Sequence, residues 1–589
     1  MNKKYIKGLN GYRALAIIAV TLFHIYPGIF KGGYLGVCMF FVLTGFLLAN
    51  TSQKEFNLLQ YFKKRIKRIY PALLVVIFLT CGLCFFLCPN VLSGMKEEVL
   101  SIVAGYNNWW QISTNADYFA KSFNNSPFTH FWFLGIELQY YLIWPLLFLL
   151  YKGFRKINGS KVYAIILFIL SLVSAGWMIY LFDPNQDVTR LYYGSDTRVF
   201  ALLLGSSLGF LYSNKKRIVS TSIQIMADVS ILLSFVITFI SFVLIDGQNP
   251  VLYQGGMLLL TLIFALQLYF ISNPSFKIGY WMEKLPLQWI GKHSFSIYLW
   301  QYPVLFFFIQ MKLTSIPFYQ IIEILITLLL AFLLDRMLDT KKGYKNIFVL
   351  LLCAGVAITM GFGGYGLLTA NNEKKEAMEE LQQKLEEDAK NMEEKKKEMQ
   401  EEQKKKEIVP EEGDYCSKEG VLLIGDSILL GCWENVYQEL PGCIVDGQVS
   451  RYISAAPPLL QVYGAQGNIH STVVIALGTN GPLYSEHTET VLQMLGEDID
   501  IFFVNTYDPY VEWIELNNVY IDQMVAAHPN VHRIDWYSIA SVHPEYLSAD
   551  ETHPTGDGCA AYARMIREAI ETTPSIRFIK KVEAENGEE

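Results

Sequence analysis

The chain has 589 residues, 52% of them apolar and 14% aromatic, and carries a formal net charge of -7. That length admits several domains, and the acidic excess sits in a linker and the C-terminal end, with no basic stripe of the kind nucleic-acid binding requires. Two halves are concealed by the averages: up to about Leu368 the chain is greasy and rich in Phe and Tyr, after which it becomes strongly charged and then ordinary.

Eleven apolar stretches are expected to cross a hydrocarbon core of about 30 Å: residues 11–30, 34–50, 70–88, 131–151, 162–182, 197–212, 227–245, 251–271, 295–309, 316–334 and 346–368. Lys and Arg concentrate on the cytoplasmic side of short loops. With Lys3, Lys4 and Lys7 inside, the inner loops hold Lys63, Lys64, Arg65, Lys67 and Arg68, then Lys152, Arg155, Lys156 and Lys161, then Lys215, Lys216 and Arg217, then Lys341, Lys342 and Lys345. An odd number of spans places everything after Leu368 outside the cytoplasm. The first stretch carries Arg13 and His24 and lacks a small-residue cleavage site, so it is expected to remain as a span. Cys81, Cys84 and Cys88 share one helical face, which membrane burial accounts for, and no metal site is expected.

Ionisable residues inside apolar spans are costly and default to functional hypotheses. His24 lies deep in the first stretch, where a neutral imidazole can activate a hydroxyl or thiol or simply bond a neighbouring helix. Arg13 precedes it by eleven residues. Further on come Phe40-Phe41-Val42-Leu43-Thr44-Gly45-Phe46, Arg65-Ile66-Lys67-Arg68-Ile69-Tyr70-Pro71, Phe131-Trp132-Phe133-Leu134-Gly135-Ile136-Glu137-Leu138-Gln139-Tyr140-Tyr141, Asp196-Thr197-Arg198 and Ser294-Phe295-Ser296-Ile297-Tyr298-Leu299-Trp300. In that order, over roughly residues 8 to 340, they resemble the membrane acyltransferase-3 family. The resemblance implies that His24 assists acyl transfer, with Arg13 near the cytoplasmic end. It also implies that Arg65 and Arg68 contact the phosphates of an acyl-CoA and that Glu137 and Arg198 support the site. Guanidinium groups suit phosphate, although ordinary positive-inside charge explains the same arginines. Gln301 stands where many members carry His.

Residues 371–413 form a Glu/Lys-rich linker in which pairs such as Glu380 with Lys384 support a solvated helix. Met378, Leu385, Met392 and Met399 recur every seven residues, but Leu381, Asp388 and Lys395 break the second seam. A lone charged helix or flexible stalk is therefore expected in preference to a coiled coil.

From Val421, short apolar runs alternate with helix-sized segments: Val421–Ile424, Ile444–Val445, Val473–Leu477, Ile501–Val504 and Val531–Ile534. This predicts a parallel sheet in a doubly wound α/β domain, with its site at the carboxyl ends of the strands. Gly425-Asp426-Ser427 follows the first strand, Gly478-Thr479-Asn480-Gly481 follows the third, and Asp550 and His553 precede a final helix. A serine needs a histidine to take its proton, and the histidine needs an acid to fix its tautomer. Asn480 can aim its amide, beside the Ser427 N–H, at an oxyanion. Asp426 is read as ordering the loop, and as a purely structural alternative Asp426 and Ser427 cap a helix. The three blocks, in order, resemble the SGNH (GDSL-like) hydrolase family. Its second-block glycine has two candidates, Gly447 and Ser450. Cys416, Cys432, Cys443 and Cys559 allow three pairings, and an oxidising exterior favours one or two disulfides.

The expected architecture is a polytopic all-α membrane domain (1–345), an eleventh transmembrane helix (346–370), the linker (371–413), an extracellular α/β SGNH domain (414–575) and an acidic tail (576–589). Such a fusion resembles the OatA-type peptidoglycan O-acetyltransferases. The resemblance implies acetyl-CoA as donor substrate without a permanent cofactor, and passage of acetyl through the His24 region to Ser427. The implied acceptor is a cell-wall glycan, foremost the muramoyl C6 hydroxyl. Other surface polysaccharides, an esterase and a glycan sensor are the alternatives.

Overall fold

The computed structural model describes residues 6–53, 56–114, 126–154, 159–183, 188–212, 220–284, 286–338, 347–370, 373–403, 414–484, 486–509, 511 and 513–587. Lys3, Lys4, Arg155, Lys156, Lys215, Lys216, Arg217, Lys341, Lys342 and Lys345, on which much of the loop-charge expectation rests, lie outside the described residues. The chain divides into two compact units, one within residues 1–371 and one spanning 372–589.

The first unit is helical. Each of the eleven apolar stretches lies on a helix: α1 Leu9–Ile25, α2 Gly36–Ser52, α3 Leu58–Leu87, α4 Trp132–Phe154, α5 Gly159–Leu181, α6 Ser195–Leu211, α7 Thr221–Leu244, α8 Met257–Ser272, α9 Leu287–Gln310, α10 Tyr319–Leu338 and α11 Ile347–Thr369. Among the described residues, six helices are long and apolar enough to cross a membrane, and Leu9–Ile25 and Cys353–Thr369 are shorter apolar segments. Leu142, Leu146 and Leu149 on α4 and Leu232, Leu233 and Val236 on α7 are exposed, a distribution stable only against lipid. Lipid offers no hydrophobic drive for helix association, so close packing supplies it. At the α2–α6 crossing, a Cβ on Gly45 would strike the Leu202 carbonyl, and one on Gly205 would strike that of Val42.

The second unit is a parallel five-stranded sheet in the order β2-β1-β3-β4-β5, with β1 Leu422–Gly425, β2 Ile444–Gly447, β3 Thr472–Ala476, β4 Asp500–Val504 and β5 Val531–Ile534. Alternate side chains feed two cores: Leu423, Val445, Val474 and Phe502 one, Leu422, Ile424, Ile475 and Phe503 the other. Strand period two with both faces buried explains the continuous apolar runs. Chain connections diverge from β1, which pairs with both β2 and β3, and a crevice opens at such a switch point.

One expectation needs correction. The charged linker is not a free stalk: its helix, α12 Glu373–Gln403, belongs to the second unit and buries Leu385 and Met392 in the first of those cores. Asp388, which breaks the seam, is buried and accepts from Trp433 Nε1 at 3.1 Å. The narrow apolar stripe seats on a domain surface, so a second helix is not needed to cover it. The segment expected as an acidic tail holds a helix, Ile576–Gly587, anchored by buried Ile576, whose N–H bonds Asp500 at 3.0 Å.

Candidate active site

Asp426 ends β1 and caps the short helix α13 Ser427–Gly431, its Oδ1 accepting the Ile428 N–H at 3.0 Å. This cap sets Ser427 at the mouth of the switch-point crevice. On the opposite side, residues 547–554 close a turn through the Leu547–Pro554 bridge and the Ser548 N–H to His553 carbonyl bond of 2.7 Å. Glu551 occupies the left-handed region at its tip (φ 60°). The turn brings Asp550 and His553, three residues apart, into register with the serine: His553 Nε2 lies 2.8 Å from Ser427 Oγ and His553 Nδ1 lies 2.6 Å from Asp550 Oδ2.

All three side chains are buried. Burial alone would raise the Asp550 pKa, but hydrogen bonds and charge from His553, joined by the Ser548 hydroxyl, hold it well below the usual carboxylate range. Asp550 is therefore held ionised, and such a carboxylate can offset an imidazolium. Its Oδ1 is further fixed by Ser548 Oγ at 2.6 Å and by the Thr552 and His553 N–H groups at 2.9 and 3.0 Å. Asp426 behaves oppositely: burial pushes its carboxyl up to about 6 despite the Ile428 N–H. The two buried acids are thus held in opposite senses, Asp550 toward the charged form and Asp426 toward the neutral one.

Asn480 is fully buried and donates from Nδ2 to the Arg451 carbonyl at 3.4 Å. Its loop is held by Asn517, whose Nδ2 bonds the Gly478 and Gly481 carbonyls at 2.8 and 3.0 Å. Gly478 has φ 126°, a conformation that a β-carbon would strain. Gly447 ends β2. In a parallel edge strand alternate N–H groups face outward. Ile444 and Gln448 donate toward β1, so the Gly447 N–H points out of the sheet, to Met392 Sδ at 3.4 Å. Ser450 occupies the turn beyond β2 with φ 57°. Arg451 and Asn517 were missed by sequence reasoning, because neither lies in a recognisable block.

The candidate membrane residues are more dispersed. His24 is buried, its ring 5.2 Å from that of Tyr302. His130 stacks on the same Tyr302 ring, at 5.3 Å, a histidine that the sequence gave no reason to single out. Glu137 accepts from Thr44 Oγ1 and Tyr141 Oη, both at 2.7 Å. The Arg65 guanidinium lies over the Tyr61 ring at 3.5 Å and faces that of Tyr141 at 5.3 Å, bringing it close to the Glu137 group. Arg68 is exposed. Arg13 bonds Asn10 Oδ1 at 3.0 Å, one turn away. Arg198 is buried against the Tyr192 ring, Met257 Sδ and Cys38 Sγ. Its motif neighbour Asp196 pairs instead with Arg190 at 2.8 Å.

Among the cysteines, Cys432 and Cys559 bring their Sγ atoms to 2.9 Å. One group of three potential metal ligands occurs among the described residues, Cys416, Asp500 and His532. There the Asp500 carboxylate already accepts from His532, Ser575 and Ile576.

The chain thus combines a unit of membrane-capable apolar helices with an α/β unit that holds a Ser–His–Asp relay. The Acyltransferase domain family model matches residues 6–336. O-acetyltransferase OatA of Staphylococcus aureus (strain MRSA252) is 33% identical over 97% of this chain and 96% of its own length. Peptidoglycan O-acetyltransferase OatA of Listeria monocytogenes is 30% identical over 96% and 98%. The solved C-terminal catalytic domain of Streptococcus pneumoniae OatA, carrying a methylsulfonyl adduct, is 27% identical, covering 26% of this chain and 92% of that one at a TM-score of 0.24. The chain belongs to the acyltransferase family of the OatA O-acetyltransferases.

Proposed function

We propose that this O-acetyltransferase moves acetyl from cytoplasmic acetyl-CoA across the membrane to Ser427, and then to a cell-wall glycan, the muramoyl C6 hydroxyl of peptidoglycan. The observation that carries the reading is the unbroken relay from Ser427 Oγ through His553 to Asp550, on a chain whose other half is an acyltransferase domain. The relatives' names supply the acceptor.

The chemistry follows from the relay. His553 Nε2 takes the Ser427 proton as Oγ attacks the acetyl carbonyl, and Asp550 stabilises the resulting imidazolium. The Ser427 N–H, the Asn480 amide and the Ser450 turn bind the oxyanion. Collapse returns the proton to the leaving group and leaves acetyl-Ser427. In the second half, His553 deprotonates the glycan hydroxyl, which attacks that ester and releases Ser427. In the membrane half, His24 assists delivery, Arg65 and Arg68 hold the CoA phosphates, and Arg13, Glu137 and Arg198 support the passage. The second unit lies outside the cytoplasm, with the N-terminus inside.

The test measures base-labile acetate on purified peptidoglycan, and separately on other wall polymers, in cells carrying wild type, His24→Ala or Ser427→Ala. Loss from peptidoglycan in both variants is expected. Unchanged peptidoglycan acetate with loss elsewhere would replace the acceptor, and a rise in Ser427→Ala cells would make the protein an esterase.

A further inference from the structure

Arg451 is a charged residue with only 7% of its surface exposed, in neither the relay nor any motif. Its guanidinium reaches three segments at once. Nη1 donates to the Gly425 carbonyl at 3.1 Å, at the end of β1 two residues before the nucleophile, and to the Asp446 carbonyl on β2. Nη2 bonds Asp446 Oδ1 at 2.7 Å and Gln448 Oε1 at 3.2 Å. Its own carbonyl accepts the Asn480 amide at 3.4 Å. Between Gln448 and Arg451 stands Ser450, in its left-handed conformation.

Asp446 is the counter-ion. Burial would raise its carboxyl, yet Arg451 first and Lys396 next hold it below the usual range. Tyr463 Oη bonds the same carboxylate, and Lys396 Nζ lies 3.4 Å from Oδ2 and 2.7 Å from Glu393. Lys396 sits one turn beyond Met392, the residue that takes the Gly447 N–H. The charged helix thus closes the sheet edge behind the turn. A buried ion pair is poor value as a stabilising device, because apolar groups of similar volume do as well. A guanidinium can nevertheless fix several acceptors in one plane, which neither an ammonium nor an apolar group can do.

We propose that Arg451 is a positioning residue for acetyl transfer, its guanidinium fixing the Ser450 turn and the carbonyl that orients Asn480 on the oxyanion side of Ser427, with Lys396 of the charged helix holding its counter-ion. The inference rests on Ser427 being the nucleophile. Arg451 acts on the transition state through Asn480 and the turn, so its loss lowers kcat and leaves ground-state binding nearly unchanged.

The experiment uses the purified full chain with p-nitrophenyl acetate as acetyl donor, normalised to reactive Ser427 counted by mass after methylsulfonyl fluoride labelling. Arg451→Met should lower kcat about 100-fold, the scale of one oxyanion contact, with KM within about threefold and an unshifted pH midpoint of kcat/KM. Arg451→Lys, which keeps charge but not the fork, should recover only part, and Lys396→Met should lose about threefold. Arg451→Met combined with Asn480→Ala should be little worse than the poorer single variant, because residues acting through one contact are not additive. Turnover by Arg451→Met within threefold of wild type, or losses that multiply in the double variant, would overturn the proposal. If Arg451→Met does not fold, Lys396→Met with Asn480→Ala supplies the same cycle and is decided by the same multiplication. Full turnover by Ser427→Ala would instead remove the nucleophile reading itself.

Discussion

The two units hold their candidate site residues in different ways. In the C-terminal unit, Ser427, His553 and Asp550 form a linear relay whose every link is a hydrogen bond between side chains of complementary chemistry. In the membrane unit, two of the candidate cations lie instead against aromatic and sulfur partners: Arg198 against Tyr192, Met257 and Cys38, and Arg65 against Tyr61 and Tyr141. Rings and thioethers hold a cation without neutralising it. The relay is a chain of directional hydrogen bonds, whereas these two cations are held by rings and sulfur.

That contrast can be broken most forcefully at the relay. Ser427→Ala should abolish acetyl-enzyme formation, seen by intact mass after incubation with p-nitrophenyl acetate, while the protein still folds. Asp550→Asn keeps the size of the side chain but loses the charge that fixes the His553 tautomer, and should lower kcat by about 10⁴. A decrease below tenfold would mean that Asp550 merely shapes the turn. On the membrane side, Arg65→Lys keeps the charge and loses the planar stacking. It should weaken acetyl-CoA use, read as a rise in KM of about tenfold with kcat little changed; a fall in kcat at constant KM would place Arg65 in the chemistry instead.

Smaller effects test how far the charged helix belongs to the soluble unit. Leu385→Ala removes a buried side chain and should cost about 2–5 kcal/mol, measured by urea unfolding of the C-terminal unit within the full chain. A change near zero would return the helix to the role of a free stalk. The smallest effect concerns Asp426, whose folded-state pKa is pushed up to about 6. Folding then takes up a proton between about pH 4 and 6, so this group's contribution is full at low pH and is lost as pH rises through about 6. Asp426→Asn retains an oxygen for the Ile428 N–H and should flatten that component by about 1–3 kcal/mol between pH 4.5 and 7.5. An unchanged difference between the two pH values would show that Asp426 titrates normally.

Local signals alone made much of this molecule legible. Apolar length placed the helices, and doubly buried strands read as continuous Val/Ile/Phe runs because both faces of a parallel sheet are covered. Asp550 and His553 were readable because the pair lies within one turn. What the sequence could not determine depends on direction across space. Whether the Gly447 N–H faces the serine or the outer edge is set by which side of β2 pairs with β1, and one strand contains no record of its partner. Leu385 and Met392 form a stripe too thin to name its cover; only the folded β2 edge and α13 provide it. Tyr302 meets both His24 and His130, which come from segments more than a hundred residues apart in sequence, and Arg451 gains its role from carbonyls on two strands. Spacing along the chain fixes which groups a segment offers, and tertiary packing alone decides which of them face one another.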